Sequence, residues 1–186
     1  MKKYLKDYTF LFSLAGVIVL LDQWTKTLVR TNLAIGDVWS PFEWLTPYAR
    51  IVHWWNTGVA FGFFQNTKVV NTVLASVVAL AIIVYFPHIP KEDWSLRLAI
   101  GMQLGGALGN LYDRLTIGHV TDFISVGNFA VFNIADSSIT VGVGVLILGV
   151  WLQERRESKK KKEIEEQDLS DPLITPNRAA DSEFHG

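Results

Sequence analysis

The chain of 186 residues contains no cysteine. That single absence removes disulfide staples, thiol nucleophiles and thiolate metal ligands, and leaves no thiol on the chain itself to be lipidated. Histidine is also sparse. His53 and His119 stand alone, without a partner at metal-ligand spacing, so no metal site and no other cofactor is expected. Ser137 and Ser138 have no histidine base, and the one lysine that could serve, Lys26, stands opposite Asp22, which argues against a serine nucleophile. The formal net charge is −1, with no excess of one sign to suggest a nucleic-acid partner. There is no internal repeat. The opening "MKKYLKDYTFLFSLAGVIVLLDQW" has the basic start of a secretory signal, but it runs into "DQWTK" instead of a small-residue cleavage site. It therefore reads as a retained first span.

What the chain does have is apolar sequence, and it is unevenly placed. Residues 7–151 are mostly apolar, whereas 153–186 are almost all polar. Crossing about 30 Å of hydrocarbon takes about 20 helical residues. Four stretches qualify, near 8–26, 67–86 (ended by Pro87), 95–113 and 134–152. The third is the least apolar. Its Gly101, Gly105 and Gly109 recur every four residues, a spacing suited to close helix packing. In the fourth, only Gly142 and Gly149 share a face, so its packing signal is weaker. Lys2, Lys3 and Lys6, then Lys91 and Arg97, then Arg155, Arg156 and Lys159 to Lys162 fall on one side if the spans alternate. That side is expected to be cytoplasmic, with both termini inside.

The predicted architecture is an all-α membrane protein of four transmembrane helices, residues 1–152, with a small β-rich segment on the outer membrane surface. The β-like outer loop is expected over 27–66, where "VWSPFEWLTPYARIVHWW" favours strands, with Trp54 and Trp55 at headgroup level. A second outer connection, about 114–133, holds the strand-like "VTDFISV" and "FAVF". Phe61, Phe63 and Phe64 read as packing or interfacial anchors. Residues 153–186 read as a charged cytoplasmic tail, its first part able to extend the fourth helix and the rest disordered.

Carboxylates and amides gather at one membrane surface. Asp22 and Lys26 end the first span, and Asn56 precedes the second. Asn110, Asp113 and Arg114 close the third, and Asn133 and Asp136 open the fourth, with Asp122 in the connection between them. Each has a plain structural reading: Asp22 with Lys26 as a helical ion pair, Asn133 as an N-cap, Asp136 as a dipole-favoured first-turn acid. Their convergence points to paired acid–base work without metal or thiol. One aspartate would be ionised to take a proton from water, the other protonated to polarise a carbonyl. Spacing alone does not select which two of Asp22, Asp113, Asp122 and Asp136 pair. Two rivals are a proton-coupled carrier and a purely structural envelope protein. A relay would spread its acids through the membrane depth, and the inverted repeat common in carriers is absent.

Five blocks in order, "DQWTK", "NTGVAFG", "GGALGNLYDR", "VTDFI" and "FNIADS", resemble the lipoprotein signal peptidases (signal peptidase II), bacterial membrane aspartic peptidases. The resemblance covers roughly residues 10–152. It implies a catalytic dyad of Asp122 and Asp136, flanked by Asn133 and Ala135. It implies a supporting cluster of Asn110, Asp113 and Arg114, with Arg114 and Asn56 lining the substrate site. Asp22 and Lys26 match the first-span pair, and Gly106 a close-contact glycine. The implied substrates are diacylglyceryl-modified prolipoproteins, cut just before the lipidated cysteine on the outer side of the bacterial cytoplasmic membrane. The implied partners are those signal peptides and membrane lipids; a monomer is expected, though nothing in the sequence sets the oligomeric state. The interval between the two aspartates is short, which implies a reduced loop over the site, and the polar tail is longer than the family pattern.

Overall fold

A computed structural model describes residues 2–57 and 67–170. Phe61, Phe63, Phe64 and the tail residues 171–186 lie outside the described residues. Four long helices form where the apolar stretches predict them: α1 (Lys2–Asn32), α2 (Thr67–Tyr85), α3 (Trp94–Thr116) and α4 (Ile134–Ser170). Two of them, over Val69–His88 and Ile134–Gln167, are apolar and long enough to cross a membrane. Their most apolar windows are only 11% and 17% buried inside the protein, the reverse of a soluble core helix.

Three strands, β1 (Val38–Trp39), β2 (Ala49–Asn56) and β3 (Val120–Val126), make one antiparallel sheet in the order β1-β2-β3. The fold is thus helical with a small β element. Two compact units are present, residues 1–146 and residues 147–186.

Several boundaries differ from expectation for identifiable reasons. Residues 27–32, "TLVRTN", contain no breaker, so α1 runs six residues past Lys26 and carries Arg30 with it. The first break comes at the turn around Gly36, whose φ of 87° suits glycine. "FAVF" does not form a strand. Gly127 turns the chain at φ 51°, and only Phe132 returns to the sheet, as an isolated bridge to Ile124. Residues 153–170 lack Gly and Pro and continue α4 as helix, the extension expected of the first part of the tail.

The glycine ridge of α3 faces α1. A Cβ at Gly101, Gly105 or Gly109 would come within 2.8 Å of Leu14, Ile18 or Asp22, respectively, which themselves recur every four residues on α1. Gly106 faces α4 instead, where a Cβ would meet Ile139 at 2.6 Å and Ser138 Oγ at 2.7 Å. Gly142 packs back on the Ala99 carbonyl, while Gly144 faces open space. The apolar core, Leu11, Ala15, Ala79, Phe86, Ile89 and Leu104, ties together α1, α2, α3 and the 3-10 turn at Phe86–His88.

Candidate active site

Three local structures bring the polar residues together. First, α3 is closed off by a turn at Gly118, φ 86°, where the N–H groups of Ile117 and Gly118 both donate to the Asp113 carbonyl. The chain turns sharply there and enters β3 directly, so Asp122 lies close to the end of the helix that carries Asn110 and Arg114. Second, β2 and β3 pair with Trp54 opposite Asp122 and Asn56 opposite Val120, which puts Asn56 and Asp122 on one face of the ladder. Third, Asn133 caps α4. Its side-chain oxygen accepts from the Asp136 N–H at 2.9 Å, and an Asp136 carboxylate oxygen accepts from the Asn133 N–H at 3.3 Å. This is a reciprocal capping box with aspartate in the acidic place.

Asp122 and Asp136 thereby face one open cavity of about 960 Å³. Trp54, Trp55, Asn56, Asn110 and Arg114 share its lining, and Leu74, Ala75 and Val78 of α2 give it an apolar wall. Each carboxylate has two fixed donors. Asp122 accepts from the Asn56 amide at 2.9 Å and from the Asn133 amide at 2.7 Å. Asp136 accepts from the Asn110 amide at 2.7 Å and from the Asn133 backbone. Burial of Asp122, only 1% exposed, pushes its carboxyl up to about 6, and the negative charge of Asp136 adds to that. The amides of Asn56 and Asn133 pull in the opposite direction.

Behind the cavity lies a second layer. Lys26 Nζ sits 2.8 Å from Asp22 and 3.0 Å from Asp113, all three side chains at 0% exposure. The same ammonium donates to the Asn110 side-chain oxygen at 3.0 Å, and the Asn133 amide donates there at 3.1 Å. With its oxygen so engaged, Asn110 must turn its NH₂ toward Asp136. The two buried carboxylates also reach forward. Asp22 accepts from the Ala135 N–H at 2.9 Å, and Asp113 accepts from the Thr121 N–H at 3.1 Å. Each therefore holds the backbone one residue before a member of the Asp122–Asp136 pair. The missing side chain at Gly109 makes room for the Asp22 carboxylate and the Ala135 methyl, and Gly106 yields its side-chain space to the Ala135 carbonyl.

The four aspartates that spacing left open thus separate into two sets. Asp22 and Asp113 meet through Lys26 out of reach of solvent, and Asp122 and Asp136 front the cavity. Three participants escaped the sequence reading. Gln23 donates to Asp22 and Asp113 at 3.1 Å. Arg30 lies 3.3 Å from Asp113 and completes the charge balance, and Thr121 receives a hydrogen bond from Arg30 at 3.2 Å. Arg30 was detectable in principle, since 22, 26 and 30 form one helical stripe.

The fold places the protein in a class first. Two solved bacterial membrane enzyme structures superpose on it with a TM-score of 0.69 each, at 29% and 30% identity. They cover 77% and 75% of this chain, and 88% and 91% of theirs. Sequence relatives narrow the class. The lipoprotein signal peptidase of Halalkalibacterium halodurans is 36% identical over 81% of this chain and 97% of its own length. That of Acinetobacter baumannii strain ATCC 17978 is 36% identical over 78% and 85%. The family described as Signal peptidase (SPase) II matches residues 14–152. The chain belongs to the signal peptidase II family and is a peptidase.

Proposed function

We propose that the protein is a lipoprotein signal peptidase of the bacterial cytoplasmic membrane. It removes the signal peptide from diacylglyceryl-modified prolipoproteins by cutting just before the lipidated cysteine. Its four helices cross the bilayer with both ends cytoplasmic, and the cavity opens at the extracytoplasmic surface. The observation that carries this reading is the pair of carboxyl groups on one cavity wall, each with fixed amide donors, in a chain of the signal peptidase II family.

The chemistry follows from the two environments. Asp136, in the first turn of α4 with a backbone N–H and the Asn110 amide as donors, is the ionised partner and takes a proton from the attacking water. Asp122, buried and pushed up to about 6, holds the shared proton and gives it to the scissile carbonyl oxygen. Collapse of the tetrahedral adduct returns that proton, and Asp136 protonates the departing amine, so one water is consumed per bond broken. Arg114 and Asn56 line the same cavity and hold the substrate backbone. The apolar wall from α2 accepts the lipid-bearing segment, which arrives sideways from the bilayer.

The test is release of a signal peptide from a purified diacylated prolipoprotein, with Asp122→Asn and Asp136→Asn measured beside the parent. Near-normal cleavage by either variant would remove that residue from the mechanism.

A further inference from the structure

The densest charge lies in the unit that begins at Ile147. Between Arg155 and Lys162 the helix carries six cations, Arg155, Arg156 and Lys159 to Lys162, against one anion, Glu157, and between Glu163 and Asp168 it carries four anions. This order opposes what an isolated helix prefers. Acids near a helix C-terminus run against its dipole, and lysine ahead of glutamate is the weaker i,i+4 orientation. The Lys159–Glu163 pair is correspondingly loose, 3.8 Å apart with side chains 81% and 63% exposed. Helix stability does not account for the arrangement.

Nor does a helical partner. Between residues 153 and 170 only Ile164 and Leu169 are apolar, which gives no seam for another helix. A second copy inserted with the same orientation would place basic turn beside basic turn at equal height. A planar anionic surface on the Trp151 side fits. Helical side chains lean toward the helix N-terminus, here back toward Trp151. Arg155 already does so, its guanidinium 4.0 Å from the centre of the Trp151 ring. Trp151, Glu154, Arg155, Ser158, Lys159 and Lys162 line one shallow groove along the helix, three cations against a single carboxylate. Trp151 to Lys162 spans about 16 Å of axis, and lysine stems leaning back bring their ammonium groups within about a Debye length of the tryptophan. The acidic turns lie beyond.

We propose that residues 151–162 dock on the anionic phospholipid headgroups of the leaflet from which α4 emerges. The proposal rests on α4 spanning the membrane, not on the peptidase chemistry.

The absence of cysteine supplies the probe. Ser158→Cys in the full chain gives a single site for a polarity-sensitive fluorophore, read in nanodiscs of phosphatidylcholine with increasing phosphatidylglycerol. A blue shift and loss of access to an aqueous quencher are expected as phosphatidylglycerol rises, and salt should reverse both. Replacing Lys159, Lys160, Lys161 and Lys162 together by Gln raises the half-saturating phosphatidylglycerol at least roughly ten-fold. Glu163→Gln with Glu165→Gln and Glu166→Gln lowers it. A signal identical in neutral and anionic discs, or indifferent to the lysine replacements, overturns the proposal. So does a Ser158→Cys disulfide between copies that forms equally in both lipids, which would assign the surface to a second copy. Prolipoprotein cleavage in the same discs is scored separately. Its failure in the parent counts against the peptidase reading and leaves the lipid result standing.

Discussion

Two buried ionic contacts join α1 to α3, one at each end of the pair, and they differ in where their remaining hydrogen bonds go. Asp7 accepts from Arg97 Nη2 at 2.6 Å, and Arg97 Nη1 donates to the Ile89 carbonyl at 3.1 Å. Its guanidinium is covered by the ring of Phe86, 4.5 Å away, and by Phe10 at 5.9 Å. That contact is closed; everything it touches belongs to the helix packing. The Asp22–Lys26–Asp113 cluster is equally buried but open at one side. Its spare acceptors and donor end on Ala135, Thr121 and Asn110, each adjacent in sequence or hydrogen-bonded to Asp122 or Asp136. Burial of charge alone therefore does not mark a functional centre, and removing one partner is costly in either place. The address of the leftover hydrogen bonds makes the distinction.

The comparison can be broken by experiment. The largest effect is expected in front of the cluster: Asp122→Asn or Asp136→Asn lowers cleavage by roughly 10²–10⁴-fold with the thermal unfolding midpoint little changed. Next comes Lys26→Met, which strips buried Asp22 of its cation, leaves Asp113 with Arg30 as its cation, and costs about 3–5 kcal/mol of stability. Here kcat per folded molecule must fall too, because Asn110 and both backbone anchors lose their reference point. Arg97→Met is expected to cost a similar stability, read by denaturant or thermal unfolding, yet to leave kcat/KM of the folded fraction near that of the parent. If the two variants behave alike in kcat, the distinction drawn between the clusters is wrong.

The smallest effect concerns pH. With Asp122 as the proton-bearing partner and its carboxyl near 6, kcat/KM is expected to fall as pH rises through about 6. Because the Asn56 amide favours the ionised form, Asn56→Ala moves that limb upward. A downward shift, or a limb of opposite slope, would exchange the roles of the two aspartates.

The helices and the aspartates were legible in the sequence because their signals are local. A long apolar run, a glycine every fourth residue and an asparagine three residues ahead of an acid each carry their own geometry. The strand "VTDFISV" was readable for the same reason. What could not be read was the partition of the four aspartates by residue type alone, since it depends on which of them shares Lys26 across two helices. Arg30 was lost because it was counted with the outer-face charges, when the unbroken "TLVRTN" keeps it on the stripe of Asp22 and Lys26. "FAVF" misled because its alternation suits a strand, but Gly127 and the cap at Asn133 leave too little chain for one. The length of α4 beyond Trp151 was open in the sequence, since a charged run without breakers can be helix or coil.

Gly109 has no side chain, and the vacancy is filled by the Asp22 carboxylate, whose other oxygen grips the strand of backbone leading into Asp136. The interhelical gap at that glycine consequently works as a gauge block. Whatever thickness is set there is transmitted through one carboxylate to the backbone that carries Asp136. A methyl group at position 109 would press on the Asp22 carboxylate at 2.8 Å and on the Ala135 methyl at 3.3 Å, and so acts on the backbone ahead of Asp136 without touching that acid.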